Sequence, residues 1–145
     1  MPILFYGHKS GPYKSFSNWY ACKFKWNGFV WSNSEQAYMS AKSFDKEYQL
    51  KIKKTTNPAE AKKIGRKVKL RPDWDKVKYQ IMIDILLAKF SQNPMLSEIL
   101  LETGSENIHE DCNDPWWGGG PNFPGGRDLL GKALISVRKT LKKNI

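Results

Sequence analysis

Between Ile108 and Gly126 the chain runs through Pro115, Pro121 and Pro124, two adjacent tryptophans and a cluster of glycines, with neither a helical nor a strand period. A stretch of that kind is a long loop, and long loops in compact domains are often functional. The core must therefore be built from the helix-rich segment before it and the shorter segment after it. At the centre of the loop stands Asp114-Pro115-Trp116-Trp117-Gly118-Gly119-Gly120. It sets a carboxylate beside two large rings and then beside bare backbone. Tryptophan stacks on a planar base or a sugar face, and consecutive glycines let backbone N–H groups approach an anion. The combination fits a nucleotide-like ligand cut at a glycosidic bond. It also fits a packed turn under a lid, and the rest of the chain has to decide between them.

The flanking segments read as mainly helical, with a few short strands. Met1 to Tyr6 reads as a strand. Asn27-Gly28, between Cys22–Trp26 and Phe29–Trp31, signals a β-hairpin. Ser32-Asn33-Ser34-Glu35 fits a capping box, with Glu35 reaching back to the cap, and predicts a helix from Ser32 to about Ser43. A second helix is expected over Asp45–Lys54. Asn57-Pro58-Ala59-Glu60 starts a third, which reaches Gly65. The longest should span Asp73 to about Ser91, with Trp74, Val77, Ile81, Ile85 and Ala88 on one face. Asn93-Pro94 opens another, closed by Gly104. The last runs from about Asp128 to Lys142 with Leu130, Leu134, Val137 and Leu141 inward. The fold class is α+β: one mainly helical domain over residues 1–145 with a small hairpin and short strands.

At 145 residues, 40% of them hydrophobic, the chain can bury the core of one domain. No apolar run is long enough to span a membrane. The N-terminal stretch is too short and too uncharged for a signal peptide. Cys22 and Cys112 are expected as reduced thiols in a cytoplasmic protein. The net charge of +10, concentrated in Lys51–Lys69 and Lys132–Lys143, fits solvated helix faces or an anionic partner such as nucleic acid or a phosphate-bearing ligand.

Glu35 and Lys42 stand seven residues apart. In one helix that is nearly two turns, so both point the same way, with Tyr38 between them. Cleaving an N-glycosidic bond builds positive charge at the sugar C1 and negative charge on the departing nitrogen. A carboxylate stabilises the first or activates water, and an acid protonates the second. A lysine of lowered pKa can instead attack C1 and hold the opened sugar as a Schiff base. Lys63 and Arg66 flank Gly65, where phosphate contact or a solvated basic face both fit. Trp74 reads as core or ligand wall. His109, Glu110, Asp111 and Cys112 carry ligand-type side chains, but no second ligand pair at zinc-like spacing occurs, so no metal site is expected. No Walker loop and no Gly-x-Gly-x-x-Gly after a strand is present, and no cofactor is expected.

These motifs occur together and in order in a known family. Phe16-Ser17-Asn18-Trp19, Ser34-Glu35-Gln36-Ala37-Tyr38 with Lys42, Ala61 through Gly65-Arg66, Trp74, Met82 with Lys89-Phe90, Leu100 to Gly104, Glu110, Asp114 to Gly118, and Leu130-Gly131 through Val137-Arg138 span nearly the whole chain. The sequence resembles the NADAR, or YbiA-like, family. That resemblance implies an α+β fold of helical character. It also implies an N-glycosidase acting on riboflavin-pathway intermediates, or a hydrolase removing ADP-ribose from guanine. It places Glu35, Lys42 and Asp114 as catalytic residues, with Trp117 at the same cleft. Asn18 and the Trp117-Gly118 turn would position the substrate, and the expected binding set is completed by Tyr38, Lys63, Arg66, Trp74 and Trp116. The expected partner is a nucleotide-like or ADP-ribosylated substrate, including nucleic acid. The alternative from another class is a non-catalytic ADP-ribose-binding module. One departure is visible: Asp128 stands in Gly126-Arg127-Asp128-Leu129-Leu130-Gly131 where the family pattern often carries Asn. The exchange removes an amide donor and adds charge.

Overall fold

In the computed structural model, which describes residues 1–144, the hairpin forms where the sequence puts it. Strands β2 (Phe24–Trp26) and β3 (Phe29–Trp31) pair antiparallel, with Phe24 opposite Trp31. Asn27 and Gly28 both take positive φ, 52° and 84°. That is the backbone a two-residue primed turn requires, and Asn and Gly tolerate it best. The N-terminal strand β1 (Ile3–Phe5) pairs in parallel with β4 (Ile108–Glu110), in the register Ile3–Ile108, Leu4–His109, Phe5–Glu110. The first three residues of the expected loop are therefore a strand.

Among the described residues six α-helices follow, besides a short 3-10 turn at Lys14–Phe16: α1 (Ser34–Ser40), α2 (Lys46–Lys53), α3 (Pro58–Gly65), α4 (Trp74–Ser91), α5 (Pro94–Glu102) and α6 (Leu129–Lys143). α4 is the spine and packs on α6, α1, α5 and the hairpin. Because neighbours cover it on more than one side, its buried face is wider than one stripe. Trp74 and Ile85 are buried as expected, but Val77, Ile81 and Ala88 are only half-buried, while Met82, Leu86, Lys89 and Phe90 are fully enclosed. In α6, Leu130, Leu134, Val137 and Leu141 all face the core.

α1 departs from its expected form in two ways that bear on function. Its cap is Asn33, whose Oδ1 accepts from Gln36 N at 2.8 Å. Gln36, not Glu35, reaches back, its Oε1 accepting from Ser32 N at 2.9 Å. Gln36 is held in that role from the other end, since its Nε2 donates to the carbonyls of Ile52, Lys53 and Thr55 at the end of α2. Glu35 is thereby free of capping. The helix also stops at Ser40, and Lys42 lies in the turn beyond it, where its carbonyl accepts from Arg71 N at 2.8 Å. Lys42 and Glu35 do not share a helix; the turn, not the helical period, brings the lysine back toward the carboxylate.

Candidate active site

α1, α3, α4 and the loop after β4 enclose a cavity of about 490 Å³. α3 lies close on α1 because Gly65 has no side chain: a Cβ there would collide with the Met39 side chain. Ala61 and Gly65 are the buried face of α3. Lys62 and Arg66, each one residue further round, share the next face and line the cavity. Lys63 is exposed and does not line it; the residue beside it takes the place expected of it. Lys78 of α4 adds another cation to the wall.

Glu35 is 8% exposed. Burial pushes its carboxyl up from 4.5 to about 7, against the pull of Lys62, Lys42 and Arg66. The Lys42 ammonium donates to the Gly65 carbonyl at 3.4 Å. Burial lowers its pKa and the charges of Arg66, Lys62 and Lys78 lower it further, while Glu35 opposes them. A carboxyl pushed up to about 7 and an amine whose pKa is lowered thus line the same cavity.

Much of the remaining lining is aromatic. Tyr38 meets Trp74 at 5.1 Å between ring centroids and Trp117 edge-on at 5.5 Å. Burial, with Glu35 and Asp114 nearby, holds the Tyr38 phenol well above its usual range, so it stays a neutral hydroxyl. Trp116 stands edge-on to Trp117, with Lys78 Nζ and Arg127 Cζ over its ring at 4.1 and 4.3 Å from the centroid.

The loop that carries these tryptophans is tightly bonded. Asp114 Oδ1 accepts from the backbone N–H groups of Trp116 and Trp117 at 2.8 and 2.9 Å. Gly118 N donates to the Asp114 carbonyl, and Gly119 N to the Glu110 carbonyl, both at 3.0 Å. The Gly118 and Gly119 amides are therefore spent inside the loop and do not form the expected anion cradle. Gly118 is needed for packing: a Cβ on it would collide with the carbonyl of Cys112. It is buried and does not line the cavity. Asp114 is exposed yet lines the cavity. Its first contribution is to the turn that aims both tryptophans.

Asn18 also lines the cavity. Its carbonyl accepts from Glu35 N at 2.9 Å and its Oδ1 accepts from Ser34 Oγ at 2.7 Å, which tethers the start of α1. The fully buried Lys89 supports this turn from below, donating to the Ser17 carbonyl at 3.0 Å. Asp128 has a partner of its own. It sits at φ 59°, and its Oδ2 accepts from His109 Nδ1 at 2.5 Å, which ties β4 to the start of α6. The charge added by this departure from the family pattern is met by an imidazole.

Of the expected set, Glu35, Lys42, Asp114, Asn18, Tyr38, Arg66, Trp74, Trp116 and Trp117 converge on one cavity, and Lys63 and Gly118 do not. Sequence reasoning missed Lys62, Lys78, Met82, Glu110 and Cys112 as lining residues. Among the described residues no group of three His, Cys, Asp or Glu side chains is placed to hold a metal ion. Among the described residues no helix is long and apolar enough to cross a membrane. Both cysteines are free thiols.

Fold and site together define a small α+β domain with one cavity walled by acids, amines and tryptophans. The chain belongs to the NADAR domain family, which matches residues 4–142. It is 36% identical to the N-glycosidase YbiA of Shigella boydii over 142 residues, covering 96% of this chain and 88% of that protein. It is 32% identical to a riboflavin biosynthesis protein of Vibrio vulnificus, covering 99% of this chain but 39% of that longer protein. The NMR structure of Escherichia coli YbiA superposes with a TM-score of 0.85 at 32% identity, covering 99% of this chain and 88% of that one.

Proposed function

We propose that this protein hydrolyses an N-glycosidic bond between a ribose phosphate or ADP-ribose and a base nitrogen, as in ADP-ribosylated guanine. The observation that carries the reading is the meeting of Glu35, Lys42 and the Trp74–Trp117 wall in one cavity whose rim adds Lys62, Arg66 and Lys78. Each part has work in such a reaction. The basic side chains take the phosphate, where their charge is worth more than in bulk water. The rings stack on the base. Glu35, its carboxyl pushed up to about 7 and so within reach of both forms near neutral pH, removes a proton in its ionised form from the attacking water or amine. Lys42, with its amine eased toward neutrality, attacks C1. The new C–N bond forms as the C1–base bond breaks and the base leaves with a proton; the ribose ring then opens to the imine, which water hydrolyses to free the sugar.

A second reading has a specific support. The likeness to a protein named for riboflavin biosynthesis favours an aminopyrimidine or aminouracil ribose phosphate as substrate. Incubation with that compound and, separately, with ADP-ribosyl-guanine distinguishes the two by which free base appears. A non-catalytic ADP-ribose module would bind ADP-ribose and release base from neither. An acid beside an eased amine has no role in a pure binder, and that favours the enzyme reading.

A further inference from the structure

Hydrolysis at a base nitrogen needs a proton donor as well as a base, and the two carboxylates first expected to share this work are unequally suited to it. Asp114 is exposed and its Oδ1 already accepts two amide hydrogens. Glu110 is differently placed. In β4, Ile108 is fully buried in the core, and a strand repeats its facing every second residue. Glu110 thus points the way Ile108 does, and it lines the cavity. His109 points the other way, to Asp128. The backbone that presents Glu110 is fixed, its carbonyl accepting from Cys112 N at 2.9 Å and Gly119 N at 3.0 Å.

We infer that Glu110 is the acid that protonates the departing base nitrogen, an assignment that rests on the N-glycosidase reading. Burial pushes its carboxyl up from 4.5 to about 7. Asp114 of the loop and Glu35 of α1 raise it further, while the Cys112 thiol and Lys62 of α3 pull it down. Lys42, Arg66 and Lys78 complete the charged groups on the cavity. Cys112 is itself pushed up to about 11, chiefly by burial, so it stays a neutral S–H that can donate to the Glu110 carboxylate and is not a nucleophile.

The step balances. The C1–N bond breaks and its electron pair goes to nitrogen, which takes the proton from the Glu110 carboxyl. C1 receives a pair from the Lys42 amine or from water, whose proton passes to the Glu35 carboxylate. Net addition of one water resets both groups, with Glu35 returning its proton through solvent to Glu110. Two carboxyls of similar pKa in one cavity suit this exchange, one entering the cycle protonated and the other ionised.

The test is the pH profile of kcat for wild type and Glu110→Gln on whichever glycoside the wild type cleaves, with circular dichroism to confirm the fold. The wild-type rate should fall on the alkaline side as Glu110 loses its proton. Glu110→Gln should lower kcat about a hundredfold, flatten that alkaline limb, and hurt substrates with the most basic leaving groups most. Glu110→Asp, which keeps an acid on a shorter arm, should restore the limb at reduced kcat, and it serves if the Gln variant does not fold. If the wild type is active and Glu110→Gln keeps its kcat and its alkaline limb, this inference fails and the parent reading stands. If the wild type releases no base from any glycoside, both fall.

Discussion

Glu35→Gln should make the protein more stable at pH 8 while disabling it. The carboxyl is 8% exposed, and burial raises it from 4.5 to about 7 in the folded state. A raised carboxyl is one the folded state prefers neutral. The folded state therefore binds the extra proton between those values, and stability is full below pH 4.5 and declines as pH rises through 7. At about 1.4 kcal/mol per pH unit, the ionised side chain costs the folded state about 3 kcal/mol at pH 8. Lys62, Lys42 and Arg66 already soften that cost, since their attraction is part of the net value. Gln is nearly the same shape and never ionises. In urea titrations the two proteins should agree within about half a kcal/mol at pH 4.5 and separate to about 3 kcal/mol at pH 8, the variant being the more stable. The melting temperature at pH 8 should rise by about 10 °C. Turnover at pH 7 should fall more than about tenfold. A variant that melts below wild type at pH 8, or by the same offset at both pH values, would refute the reasoning, because Glu35 would then be supporting α1 as a charge or a cap.

Lys42 should be trapped covalently: borohydride added during turnover reduces the imine, and mass spectrometry should place the reduced sugar phosphate on Lys42, with no adduct in Lys42→Arg. Normal turnover without an adduct, together with an active Lys42→Arg, would leave direct water attack as the mechanism. Asp114→Asn should keep the tryptophan turn, because the amide oxygen can still accept from Trp116 and Trp117, yet lower turnover more than about tenfold through the lost charge; an unchanged rate would restrict Asp114 to the turn. If the substrate is carried on nucleic acid, affinity should drop about tenfold or more between 50 and 200 mM salt, and a flat dependence would point to a small substrate, with the lysines of α2 and α3 other than Lys62 as solvated faces.

How far the sequence could be read depends on the range of the forces involved. The hairpin was legible because Asn27 and Gly28 alone account for its positive φ angles. α6 was legible because one side of it is covered, so its apolar stripe is its buried face. α4 was only partly legible: its neighbours wrap it, and a single-stripe reading omits Met82 and Phe90. The α1 cap slipped by one residue because Ser32 and Asn33 are both good caps, and Glu35 and Gln36 both fit the third position. The choice between them was tertiary. The carbonyls at the end of α2 claim the Gln36 amide, a contact no local pattern announces.

That Lys63 and Gly118 lie off this cavity has similarly concrete origins. Reading Lys63 with Arg66 took neighbours of Gly65 for neighbours in space. The periodicity that was available, Ala61 and Gly65 inward, assigns the adjoining face to Lys62 and Arg66 instead. Gly118 and Gly119 were read as openings for an anion because the sequence shows that a side chain is missing but not what fills the space. Here Cys112 crowds the first and Asp128 the second. Glu110 was the hardest to find. Its orientation follows from two-residue alternation after Ile108, but a three-residue strand has no visible period, and its parallel partner β1 lies at the other end of the chain. The chemistry of this cavity thus depends on a pairing between the N-terminal strand and the loop's first residues, which carries the Glu110 carboxyl from an expected loop into a strand at the cavity, where burial pushes it up to about 7.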